Sequence, residues 1–109
     1  MYERILVATD GSDGAEKTID EALDLAELTD ATVHAIYVVD TRDYNTLPES
    51  KWLTLDDELT ERGQRAVDAV RERSTARGID VETAVESGIP HEEILRYADA
   101  HDVDRKSVV

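Results

Sequence analysis

Ile5-Leu6-Val7-Ala8-Thr9, stopped by Asp10-Gly11-Ser12-Asp13-Gly14, is the stretch whose reading decides the fold. A short continuous apolar run cut off by turn residues is how a strand buried on both faces reads before a loop. From Ala15 to Leu28 the period changes to that of a helix. Ala15, Ile19, Ala22, Leu23 and Ala26 share one face, while Glu16, Lys17, Asp20, Glu21, Asp24 and Glu27 take the other, which predicts an amphipathic helix. Ser12 or Asp13 is its expected N-terminal cap.

Outward from that unit the same alternation repeats. Thr32 to Val39 is apolar at nearly every position and predicts a second strand, followed by a polar loop from Asp40 to Lys51. Thr54 with Asp57 resembles a capping box opening a helix whose Leu55, Leu59, Ala66, Ala69 and Val70 form one stripe, weakened a little at Gly63 and closed by Gly78. Val81 to Glu86 alternates, as a strand at a sheet edge does. Pro90 then stands at a first helical position, Glu92 and Glu93 in the first turn, and Ile94, Leu95, Tyr97 and Ala98 supply the apolar face of a helix ending near His101. The expected fold class is α/β, a doubly wound parallel sheet in a single domain over residues 1–109.

With strand three at an edge and strands one and two central, the natural order is 3-2-1 and onward, so strand one needs a further neighbour. The chain left for it, Val103-Asp104-Arg105-Lys106-Ser107-Val108-Val109, has two cations and a serine at its centre. A buried strand does not normally carry them, so a regular strand four is expected to be lacking and strand one to offer an open edge for pairing.

Composition narrows the function. Twenty-six acidic against twelve basic residues, a formal charge of -14, argue against nucleic-acid and anionic-membrane partners. The acids are spread along the chain, a pattern matching the proteins of salt-loving archaea. No apolar run approaches the ~20 residues of a membrane span, and Met1-Tyr2-Glu3-Arg4 leads straight into a strand, so no secretory leader is expected. Zero cysteines remove disulfides, thiolate metal sites and thiol nucleophiles.

Gly11-Ser12-Asp13-Gly14 lies where α/β folds bind ligands, yet matches neither the dinucleotide nor the P-loop glycine pattern. Asp10 and Asp13 would repel a phosphate, which leaves a ribose, a base edge or a divalent cation; a tight turn with a helix cap explains the loop equally. Asp10-x-Ser12-x-Gly14 with Glu21 is a poor calcium loop, because Ala15 stands where glycine is required. His34, His91 and His101 lack zinc-ligand spacing, and no serine sits in a hydrolase elbow, so no catalytic and no metal residues are expected. A phosphoacceptor domain would need an aspartate where Glu86-Ser87-Gly88 ends strand three. Trp52 reads as a packing anchor.

Three stretches together resemble the universal stress protein family: Ile5 to Ser12, Ile36-Tyr37-Val38-Val39-Asp40, and Gly88-Ile89-Pro90-His91-Glu92-Glu93-Ile94. The resemblance implies a sheet of order 3-2-1-4-5, a cytoplasmic homo-oligomer, and a stress-response role with, in one branch, ATP binding. By the same resemblance Ala8, Thr9, Asp10 and Val38 are adenine- and ribose-side positions, for ATP or another adenine nucleotide with magnesium. The family's phosphate element, G-x-x-G, nine residues, then G-[ST], follows strand four and is absent from these residues, as is strand five. The expectation is a C-terminally incomplete nucleotide-binding protein with an impaired or missing phosphate loop. Its alternatives are an interaction module that binds no nucleotide and a slow ATP hydrolase.

Overall fold

Strand β1 (Arg4–Ala8) lies between two parallel neighbours, which is why its apolar run shows no alternation. It pairs with β2 (Thr32–Asp40) from Arg4 opposite Thr32 to Ala8 opposite Ile36, and β2 pairs with β3 (Val81–Gly88) from Val33 opposite Val81 to Asp40 opposite Gly88. On its other side β1 pairs with β4 (Arg105–Val108), giving the order β3-β2-β1-β4. These elements come from a computed structural model that describes residues 4–11, 16–42, 47–103 and, as backbone, 105–108. The cap assigned to Ser12 or Asp13 and the helix start at Ala15 lie outside the described residues.

The expected lack of a fourth strand is corrected at the level of backbone. Four residues, Arg105 to Val108, run parallel to Ile5 to Ala8, so β1 is interior and β4 takes the edge of the described sheet. Ladder bonds use N–H and C=O groups that every non-proline residue carries, so cations that argue against a buried strand do not prevent a paired one.

Helices α1 (Glu16–Thr29) and α2 (Trp52–Ala76) cover one face of the sheet, α3 (Pro90–Ala100) the other. Strand parity divides the core accordingly. Ile5, Val7, Val33, Ala35, Tyr37 and Val39 pack with Ile19, Leu23, Val67 and Val70, whereas Leu6, Ala8 and Ile36 pack with Tyr97 and Ala98. Leu95, expected on the buried face of α3, is half exposed.

Helix α2 departs from expectation in two places. It begins at Trp52, after a 3-10 turn over Glu49–Lys51 in which Lys51 N–H donates to Pro48 O, so Thr54 lies inside the first turn and caps nothing. Trp52 stays 38% exposed and donates from Nε1 to Leu47 O at 3.0 Å, holding the entry to the helix and not the core. The buried stripe runs through Gly63, Val67, Val70 and Ser74, while Ala69 is exposed. A serine can join an apolar stripe because its hydroxyl donates to Val70 O at 2.8 Å. Gly78 closes the helix as expected: at φ 72° it lets its own N–H reach Thr75 O and that of Ile79 reach Ser74 O. Among the described residues no helix is long and apolar enough to cross a membrane.

Candidate functional site

The C-terminal ends of β1 and β2 open into a cleft of about 260 Å³. Ala8, Thr9, Asp10 and Val38, the four positions singled out in the sequence, all line it. Ladder geometry sets their directions. Thr9 N–H donates to Ile36 O at 3.0 Å, carrying the β1 pairing one residue past the strand, and Thr9 Oγ1 accepts from Gly11 N–H at 3.1 Å. Gly11 takes φ 76°, a conformation open to glycine, and the chain turns there with Asp10 exposed at the rim.

Ile36, Tyr37, Asp40, Pro90 and Ile94 also line the cleft and were not foreseen. A sequence signal existed for some of them. Ile36 shares strand parity with Val38, and Pro90 and Ile94 lie one turn apart on α3, so both follow once β2 and α3 are placed. Asp40 is tied to Arg42, which donates from Nε to Oδ1 at 3.0 Å and from Nη2 to Oδ2 at 2.8 Å. Those bonds hold its carboxyl below the usual carboxylate range.

Apolar walls of Ile36, Val38, Pro90 and Ile94 suit a flat heterocycle, and the exposed Asp10 carboxylate can accept hydrogen bonds from vicinal hydroxyls. Among the described residues no lysine or arginine lines the cleft. The described lining residues fit a base and a sugar and include no cation for a phosphate chain.

On the α3 face, His34 is buried with Nδ1 2.9 Å from Tyr97 Oη and 3.4 Å from Glu82 Oε2. The His101 ring stacks on Tyr97 at 3.9 Å, and its Nδ1 donates to Tyr97 O at 3.0 Å. Both histidines are thus engaged in packing, one within β2 and one at the end of α3.

The family model described as the universal stress protein family matches residues 1–105. Universal stress protein MJ0531 of Methanocaldococcus jannaschii is 34% identical over 105 residues, covering 95% of this chain; the chain spans 62% of that relative's length. A solved universal stress family protein from Burkholderia pseudomallei superposes with a TM-score of 0.81 at 31% identity, over 98% of this chain and 80% of that one. A universal stress protein solved in complex with cAMP shares the fold, with a TM-score of 0.71 at 22% identity over 95% of this chain and 73% of that one.

Proposed function

The chain belongs to the universal stress protein family, a stress-response family, and on that footing we propose that its strand-end cleft binds the adenine and ribose of an adenine nucleotide. The observation that carries this reading is the gathering of Ala8, Thr9, Asp10 and Val38, from two strands, around one largely apolar cleft with an exposed carboxylate at its rim. The cAMP complex of a fold relative shows that the same architecture accommodates an adenine nucleotide in that protein. In this reading Asp10 accepts from the ribose hydroxyls, Val38 and Ile94 flank the base, and magnesium helps ATP by offsetting the acidic rim. The protein acts in the cytoplasm as a homo-oligomer, and in these 109 residues the nucleoside, not the phosphate chain, supplies the affinity.

Calorimetry with adenosine, AMP and ATP, each with and without magnesium, tests the reading. Adenosine and AMP should bind, ATP should gain from magnesium, and Asp10→Asn should weaken adenosine about tenfold through loss of a charge-assisted bond. Absence of adenosine binding would remove the proposal. It would favour a second reading that rests on β4 at the edge of the described sheet, an interaction module that pairs through that strand.

A further inference from the structure

A second cleft, of about 250 Å³, lies on the α1 and α2 side of the sheet, with Thr9, Gly11, Glu16, Arg62, Arg65 and Arg73 among its lining residues. Its charges follow from how the two helices meet. Arg77, the residue that follows α2, pairs with Glu27 and Asp24 of α1 at 2.5 and 2.6 Å, and one turn back Arg73 pairs with Asp20 at 2.6 Å and Glu16 at 3.4 Å. Glu16 is the first residue of α1, so the acidic side of this ladder stops there among the described residues. The basic side continues along α2 through Arg65 and Arg62. Among the described residues neither makes an ion pair or a hydrogen bond, not even with Glu58 and Glu61 one turn earlier on the same helix. Both side chains are exposed at the cleft.

In a chain of 26 acids and 12 bases, Arg62 and Arg65, on one side of one helix, are the exceptions among the arginines whose side chains are described, the other six of which each meet a carboxylate. A field this negative favours pairing an arginine with a carboxylate, and carboxylates are within a helical turn. We propose that this cleft is an anion site for a small phosphate-bearing molecule, with Arg62 and Arg65 as its ligands and Arg73 as a third cation shared with Glu16. A guanidinium offers paired N–H donors that match two oxygens of a phosphate, and residues three apart on a helix project side by side. Concavity between two helices favours a small ion over the flat side of a macromolecule. The two clefts share Thr9, at the end of β1, but the cations proposed to hold the anion lie on α2, whereas Ile36, Val38 and Ile94 line only the strand-end cleft.

Inorganic pyrophosphate is the probe, titrated at constant ionic strength set by KCl and followed by nitrogen-proton NMR and calorimetry. The expected result is saturable shifts centred on Arg62, Arg65 and Arg73, with affinity falling about tenfold or more in the Arg62→Gln, Arg65→Gln double variant. Arg96→Gln, at an exposed arginine paired with Glu93 on α3, should leave binding unchanged. Glu16→Gln removes the carboxylate competing for Arg73 and should tighten it. Shifts that do not saturate, that move Arg96 as much as Arg62, that centre on Val38 and Ile94, or that survive the double variant would each overturn the proposal. Adenosine added to the pyrophosphate complex should leave the Arg62 and Arg65 signals in place, which keeps this result separate from the fate of the strand-end cleft.

Discussion

A methyl carbon placed on Gly63 of α2 would stand 2.5 Å from Tyr37 Cδ1 and 3.0 Å from Cγ, so the helix meets the ring on β2 at a distance that only hydrogen permits. Tyr37 is buried, belongs to the larger core cluster and lines the strand-end cleft. Gly63→Ala should therefore destabilise the protein although alanine is the better helix former. The helix gains about 1 kcal/mol from the exchange, and overpacking against a fixed ring costs about 1–3 kcal/mol. Denaturant unfolding should show a lower midpoint, and a variant more stable than the parent would mean that helix and strand do not approach this closely.

The same pair shows what could be read without coordinates. Period alone placed β1, β2, α1 and α3, because a strand buried on both faces and a helix with one wet side leave opposite signatures. The four cleft residues then followed from the family's motifs, and the sheet brings them together. What escaped depended on contacts between distant segments. Gly63 looks like a helix defect until Tyr37 is seen opposite it, and Ser74 looks polar until its hydroxyl finds Val70 O. Arg105 and Lys106 look unfit for a strand because side chains dominate such a reading, whereas pairing with β1 is made by backbone. The arginine cleft was invisible because Arg62 and Arg65 become unusual only once the α1 partners of Arg73 and Arg77 are known.

His34 should make the fold sensitive to acid. It is 2% exposed, and its Nε2 is buried with no hydrogen-bond partner. Burial holds its pKa below the ordinary value, with the charges of His101 beyond α3 and Arg4 of β1 adding to the effect and Glu82 of β3 opposing it. Tyr97 of α3, the remaining polar neighbour, contacts Nδ1 through its hydroxyl. The unfolded chain takes up this proton near pH ~6.5, before the folded one does, so stability is full above that pH and falls as pH drops toward the lower folded value. Thermal melts between about pH 7 and about pH 5 should fall more steeply for the parent than for His34→Gln. Equal slopes would mean that His34 does not titrate in this window.

Three helix ends use the left-handed conformation, and two of them do so with aspartate. Asp30 has φ 56° and Asp102 φ 52°, against 72° for Gly78; the following N–H groups of Ala31, Val103 and Ile79 return to Ala26, Ala98 and Ser74 at about 3 Å. An L-residue in this region costs ~1 kcal/mol, and a carboxylate beside the C-terminus of α1 also opposes the helix dipole. Asp30→Gly should raise stability by up to about 1 kcal/mol at low salt, less in molar salt, while Gly78→Ala should lower it by a similar amount. Denaturant titrations in dilute and concentrated KCl measure both, and an Asp30→Gly variant weaker than the parent would point to an unrecognised contact of that carboxylate.

Salt should separate two opposed electrostatic effects. A charge of -14 on 109 residues sets acids against one another across the whole surface, over about 10 Å at 0.1 M salt and only about 3 Å at 1 M. The melting temperature of the parent should therefore climb with KCl into the molar range. Arg77 works in the other direction: its bonds to Glu27 and Asp24 tie α2 to α1, and that contact holds the Glu27 carboxyl below its usual range. Because the carboxylates it meets are exposed, salt weakens what it contributes. Arg77→Gln should thus lower the melting temperature most in dilute buffer, where it also adds to the uncompensated charge, and the gap from the parent should narrow as KCl rises. A parent melt that stays flat or declines with salt would show that acid repulsion does not limit this fold. A gap that persists undiminished in molar KCl would mean that Arg77 holds the two helices by packing its methylene stem and not by its charge.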